Sequence, residues 1–185
     1  TAHSELVVLH VTVRDRKGTY VDDLLQDAFA VVEDGQAQSV KLFSDTDTPI
    51  TVGLLVDGSA SMFGHRTLAV AGAAEFVNAS GKDDELFALA FNEIVTPALP
   101  TNRPFTRDSE VLREGLERTI IARGRTALYD AISAGVDYLA RGSRERKALV
   151  VLSDGGDNAS RTSRERAVRK ALESNAVVYT IALIE

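Results

Sequence analysis

Four short apolar runs, separated by stretches of helical periodicity, constrain the fold of this chain more than any other feature of its sequence. They are ITVGLLV (50–56), ELFALAF (85–91), KALVVLS (147–153) and VVYTIALI (177–184). Strands that are covered on both faces read as continuous apolar runs of this kind, whereas half-exposed strands alternate with polar residues. The runs therefore predict buried strands of a mostly parallel sheet. IVTPAL (94–99) predicts an edge strand, because Pro97 cannot donate to a central ladder.

Apolar residues spaced three and four apart predict helices between these strands. The first covers residues 65–79, the second runs from Asp108 or Ser109 to about Ile120, and the last follows a cap at Thr162 or Ser163. The side chains expected to face the sheet are Leu68, Ala71, Gly72 and Phe76; then Leu128, Ala131, Ile132, Gly135, Val136 and Leu139; and finally Ala167, Val168, Ala171 and Leu172. This alternation predicts an α/β fold, a doubly wound and mostly parallel sheet with helices on both faces.

Residues 1–47 have a different sequence pattern, with alternating apolar residues and turn signals, and this pattern predicts a β-rich segment. ELVVLHVTV (5–13) alternates, and FAVVED, a turn at Gly35 and AQSVKLFS read as a hairpin, so about four short strands fit here. The polar stretch SDTDTP (44–49) predicts a boundary between this segment and a second domain at 48–185.

Composition excludes several classes of protein. The 185 residues are 44% hydrophobic and 26% charged, which is typical of a folded globular chain. There is no cysteine, so disulfides, thiolate zinc sites and thiol catalysis are excluded. A net charge of −6 disfavours nucleic acid as a partner, and the basic stretches around 141–147 and 161–170 are interrupted by glutamates, as in solvated helix faces. No apolar stretch approaches the roughly 18 residues that span a bilayer, and no signal peptide is visible in residues 1–185.

Oxygen-bearing side chains gather where the predicted strands end. Asp57, Ser59 and Ser61 follow the first run at alternate positions, Thr126 precedes a helix, and Asp154 ends another strand. Ligands of open α/β sheets bind beyond the carboxyl ends of the strands, so we expect these loops to converge. Gly58 and the Gly155-Gly156 pair let the backbone bend there.

The predicted cluster has the chemistry of a hard-cation site. Oxygen donors without histidine or cysteine suit Mg²⁺, Mn²⁺ or Ca²⁺. Mg²⁺ is the first expectation because the ligands are compact and few, whereas Ca²⁺ takes up to about eight oxygens. Two carboxylates balance a divalent charge, so a further anionic ligand, such as a carboxylate from another protein, can be accommodated.

The constellation resembles a von Willebrand factor type A (VWA) domain with its metal-ion-dependent adhesion site (MIDAS). The D-x-S-x-S motif is Asp57, Ser59 and Ser61, the separate threonine is Thr126, and the later aspartate is Asp154. The resemblance covers about residues 48–185. It implies that the hydroxyls approach the metal, that the aspartates bind it directly or through water, and that an acidic residue of a protein partner completes the shell.

The leading segment is similar to what precedes this domain in the acidobacterial-type VWFA-related subgroup, through the stretches VTVRDRKGTYV and FAVVEDG. That resemblance implies an exported bacterial protein in the periplasm, in the envelope or outside the cell. One departure is that the family fold carries a last helix and a sixth strand, whereas this sequence ends at Glu185, after the fifth predicted strand. We therefore expect the domain to lack these two elements.

Residues beside the motif predict a rim that a partner could contact: Met62, Phe63, His65, Asp157 and Asn158. Packing of Met62 and Phe63 against the next helix is an equal alternative, and Asp157 and Asn158 also fit a polar turn that starts a helix. Asp130 lies in the first turn of the helix after Thr126, where a carboxylate is favourable without any special role.

The leading functional hypothesis is a non-enzymatic, metal-dependent protein-binding module. A phosphoryl-transfer enzyme with Asp57 as the acceptor is an alternative, although Ser59 stands where that chemistry wants a second aspartate. A serine hydrolase is disfavoured, because G-x-S-x-G is absent and His3, His10 and His65 offer no obvious general base. A structural assembly module with a vestigial metal site is the third hypothesis.

Overall fold

The computed structural model describes residues 7, 9, 11–44 and 48–183. The chain divides into two compact units, Thr1–Asp47 and Thr48–Glu185. His3 and His10, with part of the predicted strand 5–13 and of the polar stretch 44–49, lie outside the described residues.

The predicted hairpin of the first unit is confirmed. Strands β1 (Val31–Glu33) and β2 (Gln36–Gln38) pair antiparallel. Asp34 and Gly35 between them both have positive φ, of 50° and 79°, which is the requirement of a type I′ hairpin turn. The estimate of about four strands is wrong for the residues that are described, since 11–44 add only an isolated bridge between Arg14 and Tyr20. A strand needs a partner with a shared apolar face, and the side chains of Leu9 and Val11 are largely exposed.

The second unit alternates strands and helices as predicted. Its elements are β3 (Ile50–Asp57), α1 (Arg66–Ala79), β4 (Glu85–Phe91), β5 (Val95–Pro97), α2 (Ser109–Thr119), α3 (Leu128–Leu139), β6 (Arg146–Ser153), α4 (Arg164–Glu173) and β7 (Val177–Ala182). The sheet order is β5-β4-β3-β6-β7, with β5 antiparallel at one edge and the other strands parallel. The fold class is therefore confirmed, as is the placement of Pro97 in an edge strand.

Two apolar layers lie on opposite faces of this sheet. Val52, Leu54 and Val56 of β3 pack in a cluster with residues of α1 and α2, whereas Leu55 packs in a second cluster with residues of α3. Side chains alternate across a strand, so adjacent residues of β3 enter different layers. Caps fix the helix starts: the Asp108 side chain accepts two backbone N–H groups at α2, and the Ser163 side chain accepts one at α4.

The face of α1 that meets the sheet was predicted wrongly. Leu68 and Phe76 are 61% and 36% exposed, and Ala71 and Gly72 are exposed too. The buried residues are Ala69, Val70, Ala73, Ala74 and Val77. Most positions of α1 are apolar or small, so periodicity defines no single face. The face that packs inward carries alanines and valines, and the two largest apolar side chains of the helix, Leu68 and Phe76, lie on the other side.

The last helix also differs from the prediction. Ala167 is buried, but Val168 and Leu172 are 50% and 74% exposed. The helix α4 packs chiefly on α3, so its other apolar side is left uncovered. The inward stripe predicted for α3 is confirmed in Ala131, Gly135, Val136 and Leu139, while Leu128 and Ile132 are half-buried.

The packing of β3 generates a prediction about two glycines. A Cβ at Gly53 would collide with the Phe87 ring and come within 2.7 Å of Leu149 Cδ2, whereas a Cβ at Gly72 on α1 would meet nothing within 4 Å. We expect Gly53→Ala to lower the free energy of unfolding by about 1–3 kcal/mol through overpacking. We expect Gly72→Ala to raise it by about 0.4–1 kcal/mol, because alanine loses less backbone entropy in a helix. Urea titration measures both, and equal effects of the two changes would contradict the packing described.

A second prediction concerns Glu85, the first residue of β4. Partial burial would raise the pKa of its carboxyl, but hydrogen bonds from Ser143 N–H (2.8 Å), Ser143 Oγ (2.6 Å) and Thr51 Oγ1 (2.9 Å) outweigh it and lower the pKa. A lowered folded-state pKa stabilises the fold above the ordinary value, and this stabilisation is lost as pH falls through the folded-state value.

The melting temperature of the parent chain should therefore exceed that of Glu85→Gln at neutral pH, and the gap should narrow as pH falls toward about 3. The exposed Glu114→Gln serves as the matched control, with no comparable gap expected. A gap for Glu85→Gln that widens in acid would contradict the assignment.

Candidate metal centre

Two loops of the candidate site leave the same edge of the sheet. Asp57 is the last residue of β3, and Ser153 is the last residue of β6, which runs parallel beside it with Val56 opposite Leu152. We name residues 57–61 loop L1, residues 121–127 loop L2 and residues 154–163 loop L3. Each predicted metal ligand lies on one of these loops.

Loop L1 folds back on its own carboxylate. The Ser59 N–H donates to Asp57 Oδ1 at 2.8 Å, and the hydroxyl oxygens of Ser59 and Ser61 are 3.1 Å apart. Asp57 and Ser59 are each 1% exposed, while Ser61 is exposed. Gly58 avoids a tight contact here, because a Cβ would lie 3.2 Å from Ile120 Cγ2. The three oxygen-bearing side chains of the motif are thus gathered in one tight turn.

Backbone hydrogen bonds join L1 to L2. The Ala60 N–H donates to the Gly124 carbonyl at 3.1 Å, and the Arg123 N–H donates to the Gly58 carbonyl at 3.2 Å. Thr126, two residues beyond Gly124, is 3% exposed. These backbone bonds therefore hold L2, which carries the buried Thr126, against L1.

Ser153 joins L1 to L3 and was missed by sequence reasoning. Its hydroxyl donates to Asp57 Oδ2 at 2.6 Å and accepts from the Gly155 N–H at 3.0 Å. Gly155 has φ +93°, a conformation that suits glycine. A usable signal was present, since Ser153 ends the strand beside β3 at the level of Asp57. Asp154, the next residue, is half-buried.

Loop L3 forms hydrogen bonds with the backbone of Thr126. Asn158 Oδ1 accepts from the Thr126 N–H at 2.8 Å, and the N–H groups of Asn158 and Ala159 both donate to the Thr126 carbonyl at 3.0 Å. L2 is therefore hydrogen-bonded directly to both L1 and L3, while Ser153 at the end of β6 links L1 to L3. The three predicted loops thus converge at one edge of the sheet.

The turn after β4 supports L2 from outside, a contact that the sequence did not indicate. The Asn92 carbonyl accepts from the Ala127 N–H at 2.8 Å, and its side-chain amide donates to the Arg123 carbonyl at 3.2 Å. Glu93 accepts from the Arg125 side chain at 3.1 Å and from its backbone N–H at 3.2 Å, and these bonds lower the pKa of the Glu93 carboxyl.

The electrostatics of the site favour a cation. Burial raises the pKa of the Asp57 carboxyl, hydrogen bonds from Ser153 and Ser59 oppose the rise, and the charge of Asp154 adds to it. No ion pair among the described residues includes either aspartate. A buried carboxylate beside a second one is costly without a compensating positive charge.

The donor set fits a hard divalent cation. Within the described part of the chain, no three His, Cys, Asp or Glu side chains come together as a metal-binding group. The oxygen donors that the sequence predicts for this edge are two carboxylates and neutral hydroxyls, the ligand type that Mg²⁺, Mn²⁺ and Ca²⁺ prefer.

The residues predicted to form a partner-binding rim separate into three kinds. Phe63 is 77% exposed and His65 is half-buried, so both are accessible beside L1. Met62 is fully buried in the core, so its side chain is not available to a partner, and of the two alternatives for this residue the structure shows packing. Asp157 and Asn158 use their side chains to bond L2 and α3.

The von Willebrand factor type A domain model matches residues 51–184 of this chain. In a sequence search, no curated protein matches it. Among solved structures, the three N-terminal domains of the type V pili tip protein Mfa5 from Porphyromonas gingivalis share 18% identity at a TM-score of 0.52. That match covers 60% of this chain but only 20% of the other.

Two further structures carry metals in their descriptions. Proximal thread matrix protein 1 from the mussel byssus, with a zinc-occupied MIDAS motif, is 18% identical at a TM-score of 0.61, covering 75% of this chain and 39% of that one. The manganese-loaded TRAP protein of Plasmodium vivax is 17% identical at a TM-score of 0.57, covering 74% and 57%. At these identities the likeness shows the fold alone.

The bond between Ser153 and Asp57 generates a third prediction. Ser153→Ala leaves Asp57 Oδ2 and the Gly155 N–H without this partner, so we expect the metal-free protein to lose about 1–3 kcal/mol of unfolding free energy. Ser153→Thr keeps the hydroxyl and should recover part of the loss. Denaturant titration in EDTA measures both, and an unchanged midpoint for the alanine variant would show that the bond contributes nothing.

Proposed function

The chain belongs to the von Willebrand factor type A domain family, and we propose that it is a metal-dependent protein-binding module. In this proposal Asp57, Ser59, Ser61, Thr126 and Asp154 hold one divalent cation, with Mg²⁺ as the expected ion and Mn²⁺ or Ca²⁺ as alternatives. The supporting observation is a buried Asp57 carboxylate, beside Asp154 and without an ion pair, at the edge where the three hydrogen-bonded loops converge.

The residues have separable tasks. Asp57 and Asp154 supply the negative charge, while Ser59, Ser61 and Thr126 supply neutral oxygens. Ser153 and the Ser59 backbone hold the two oxygens of Asp57 in fixed directions. When bound, the cation supplies an electrophilic position for one further oxygen ligand.

The partner in this proposal is a protein that presents an aspartate or glutamate at the metal. Charge balance favours an anion, because the two carboxylates only neutralise a divalent cation. The exposed Phe63 ring lies on the segment that follows L1 and offers apolar contact next to the carboxylate. The net charge of −6 argues against nucleic acid as an alternative partner.

We further propose an exported location in a bacterium. The similarity of residues 1–47 to the VWFA-related subgroup supports it, and one structural relative is a pilus tip protein. Among the described residues, none of the helices has the length and apolar character to cross a membrane.

Phosphoryl transfer is less well supported. Asp57 is 1% exposed, which leaves little room for a phosphoryl group to approach its carboxylate. We expect no hydrolysis of a generic phosphate ester in the presence of Mg²⁺. No observation favours a vestigial site used only for assembly, and partner binding that persists in EDTA would be its signature.

A fourth prediction tests the metal. At free Mg²⁺ about 100-fold above the dissociation constant, binding should stabilise the fold by about 2.7 kcal/mol, which is several degrees in melting temperature. Asp154→Asn should remove most of this rise while leaving the EDTA melting temperature nearly unchanged. Its matched control is Asp83→Asn, an exposed aspartate just before β4 at the opposite edge of the sheet. A parent chain that stays folded and shows no stabilisation by Mg²⁺ or Mn²⁺ would refute the proposal.

A fifth prediction tests the open ligand position. Water bound to Mn²⁺ in the site should enhance proton relaxation, and added acetate should reduce the enhancement by displacing that water. Acetamide, a neutral analogue of the same size, should have little effect. Equal effects of the two compounds would show that the site does not select a carboxylate.

A further inference from the structure

Helix α3 begins without a cap from its own sequence. Its N-cap residue is Ala127, whose side chain accepts no hydrogen bond. The first N–H groups of a helix lack intrahelical acceptors, and a side chain normally supplies one. Here L3 supplies them: Ser160 Oγ accepts from the Asp130 N–H at 3.0 Å, and Asp157 Oδ1 lies 3.4 Å from the Tyr129 nitrogen that donates to it.

The capping is reciprocal. Asp130, in the first turn of α3, accepts from the backbone N–H groups of Arg161 at 3.0 Å and Thr162 at 2.9 Å. Burial would raise the pKa of the Asp130 carboxyl, but these bonds outweigh it and lower the pKa. Ser160 Oγ also donates to Asp157 Oδ1 at 2.6 Å. Side chains of L3 therefore accept hydrogen bonds from the start of α3, and a side chain of α3 accepts hydrogen bonds from L3.

We call these contacts between L3 and the first turn of α3 the clasp. Asn158, on the same loop, extends the clasp to a predicted metal ligand. Its side chain accepts from the Thr126 N–H, and its own N–H donates to the Thr126 carbonyl, so the backbone of Thr126 is held on both sides. Asn158 lies four residues after Asp154 on the same loop. Loop L3 therefore carries both Asp154 and the residue that holds the Thr126 backbone.

We propose that Asn158 is a positioning residue for the metal site, and that the capping of α3 by Ser160 and Asp157 keeps it in place. The inference rests on the proposed function, since it concerns the same site. Asn158 contacts no metal in this proposal; it fixes where the Thr126 hydroxyl stands relative to Asp154. Residues that orient metal ligands typically contribute about 10- to 100-fold in metal affinity.

The closing experiment measures Mn²⁺ binding by calorimetry on metal-stripped protein. Asn158→Ala should weaken binding by about 10- to 100-fold. Asn158→Asp keeps an acceptor oxygen for the Thr126 N–H. Its Mn²⁺ affinity should be at most about threefold lower than that of the parent chain. Asn78→Ala, on the exposed side of α1, is the matched control and should leave the affinity unchanged.

A second measurement reports on the clasp without any metal. Amide hydrogen exchange at Thr126 in EDTA should be faster in Asn158→Ala and close to the parent rate in Asn158→Asp. If Asn158→Ala folds poorly, Ser160→Ala is the substitute variant. It removes the hydrogen bonds of Ser160 to Asp130 and Asp157 and leaves the contacts between Asn158 and Thr126 in place. It should weaken Mn²⁺ binding less than Asn158→Ala does, with partial recovery in Ser160→Thr.

The outcomes are distinguishable. Mn²⁺ affinity of a folded Asn158→Ala within about twofold of the parent, or an Asn158→Asp as weak as the alanine variant, would overturn the positioning role and leave the metal site standing. A folded parent chain that binds no Mn²⁺ would overturn the metal site itself, and this inference with it. A lowered EDTA melting temperature with unchanged affinity would show that the clasp only stabilises the fold.

Discussion

The parallel pairing of β3 with β6 is the interaction on which the rest of the second unit depends. It buries both strands between two helical layers, and it brings Asp57 and Ser153 to the same level at the same edge. Parallel strands require crossover connections, so loops collect at this edge. The hydrogen bond from Ser153 to Asp57 then links the two strand ends side chain to side chain.

The buried carboxylate of Asp57 at that edge determines the electrostatics of the loops around it. Asp57 is desolvated, its two oxygens are held by Ser59 and Ser153, and Asp154 adds repulsion. Such an arrangement is unfavourable by itself, and it becomes favourable when a cation neutralises it. The loops around it are bonded to one another as well as to Asp57, so their positions do not depend on the carboxylates alone.

Prediction from the sequence succeeded where local chemistry decides. The strand and helix types of the second unit, the helix starts at 108–109 and 162–163, the hairpin at Gly35 and the edge position of Pro97 follow from short-range rules and are confirmed. It failed where several faces were equally apolar. Helix α1 offers apolar residues on every side, and only contact with the sheet and α2 decided that Ala69 and Ala73 face inward while Leu68 faces out.

For the candidate site, the sequence by itself determined which oxygen-bearing residues stand at the ends of strands, because the apolar runs fix where strands stop. It could not determine that Ser153 binds Asp57 or that Asn158 holds Thr126, since those pairs are 96 and 32 residues apart. Only the tertiary structure decided these bonds. Side chains distant in sequence meet when the strand register and the helix positions are set by burial of the two apolar layers.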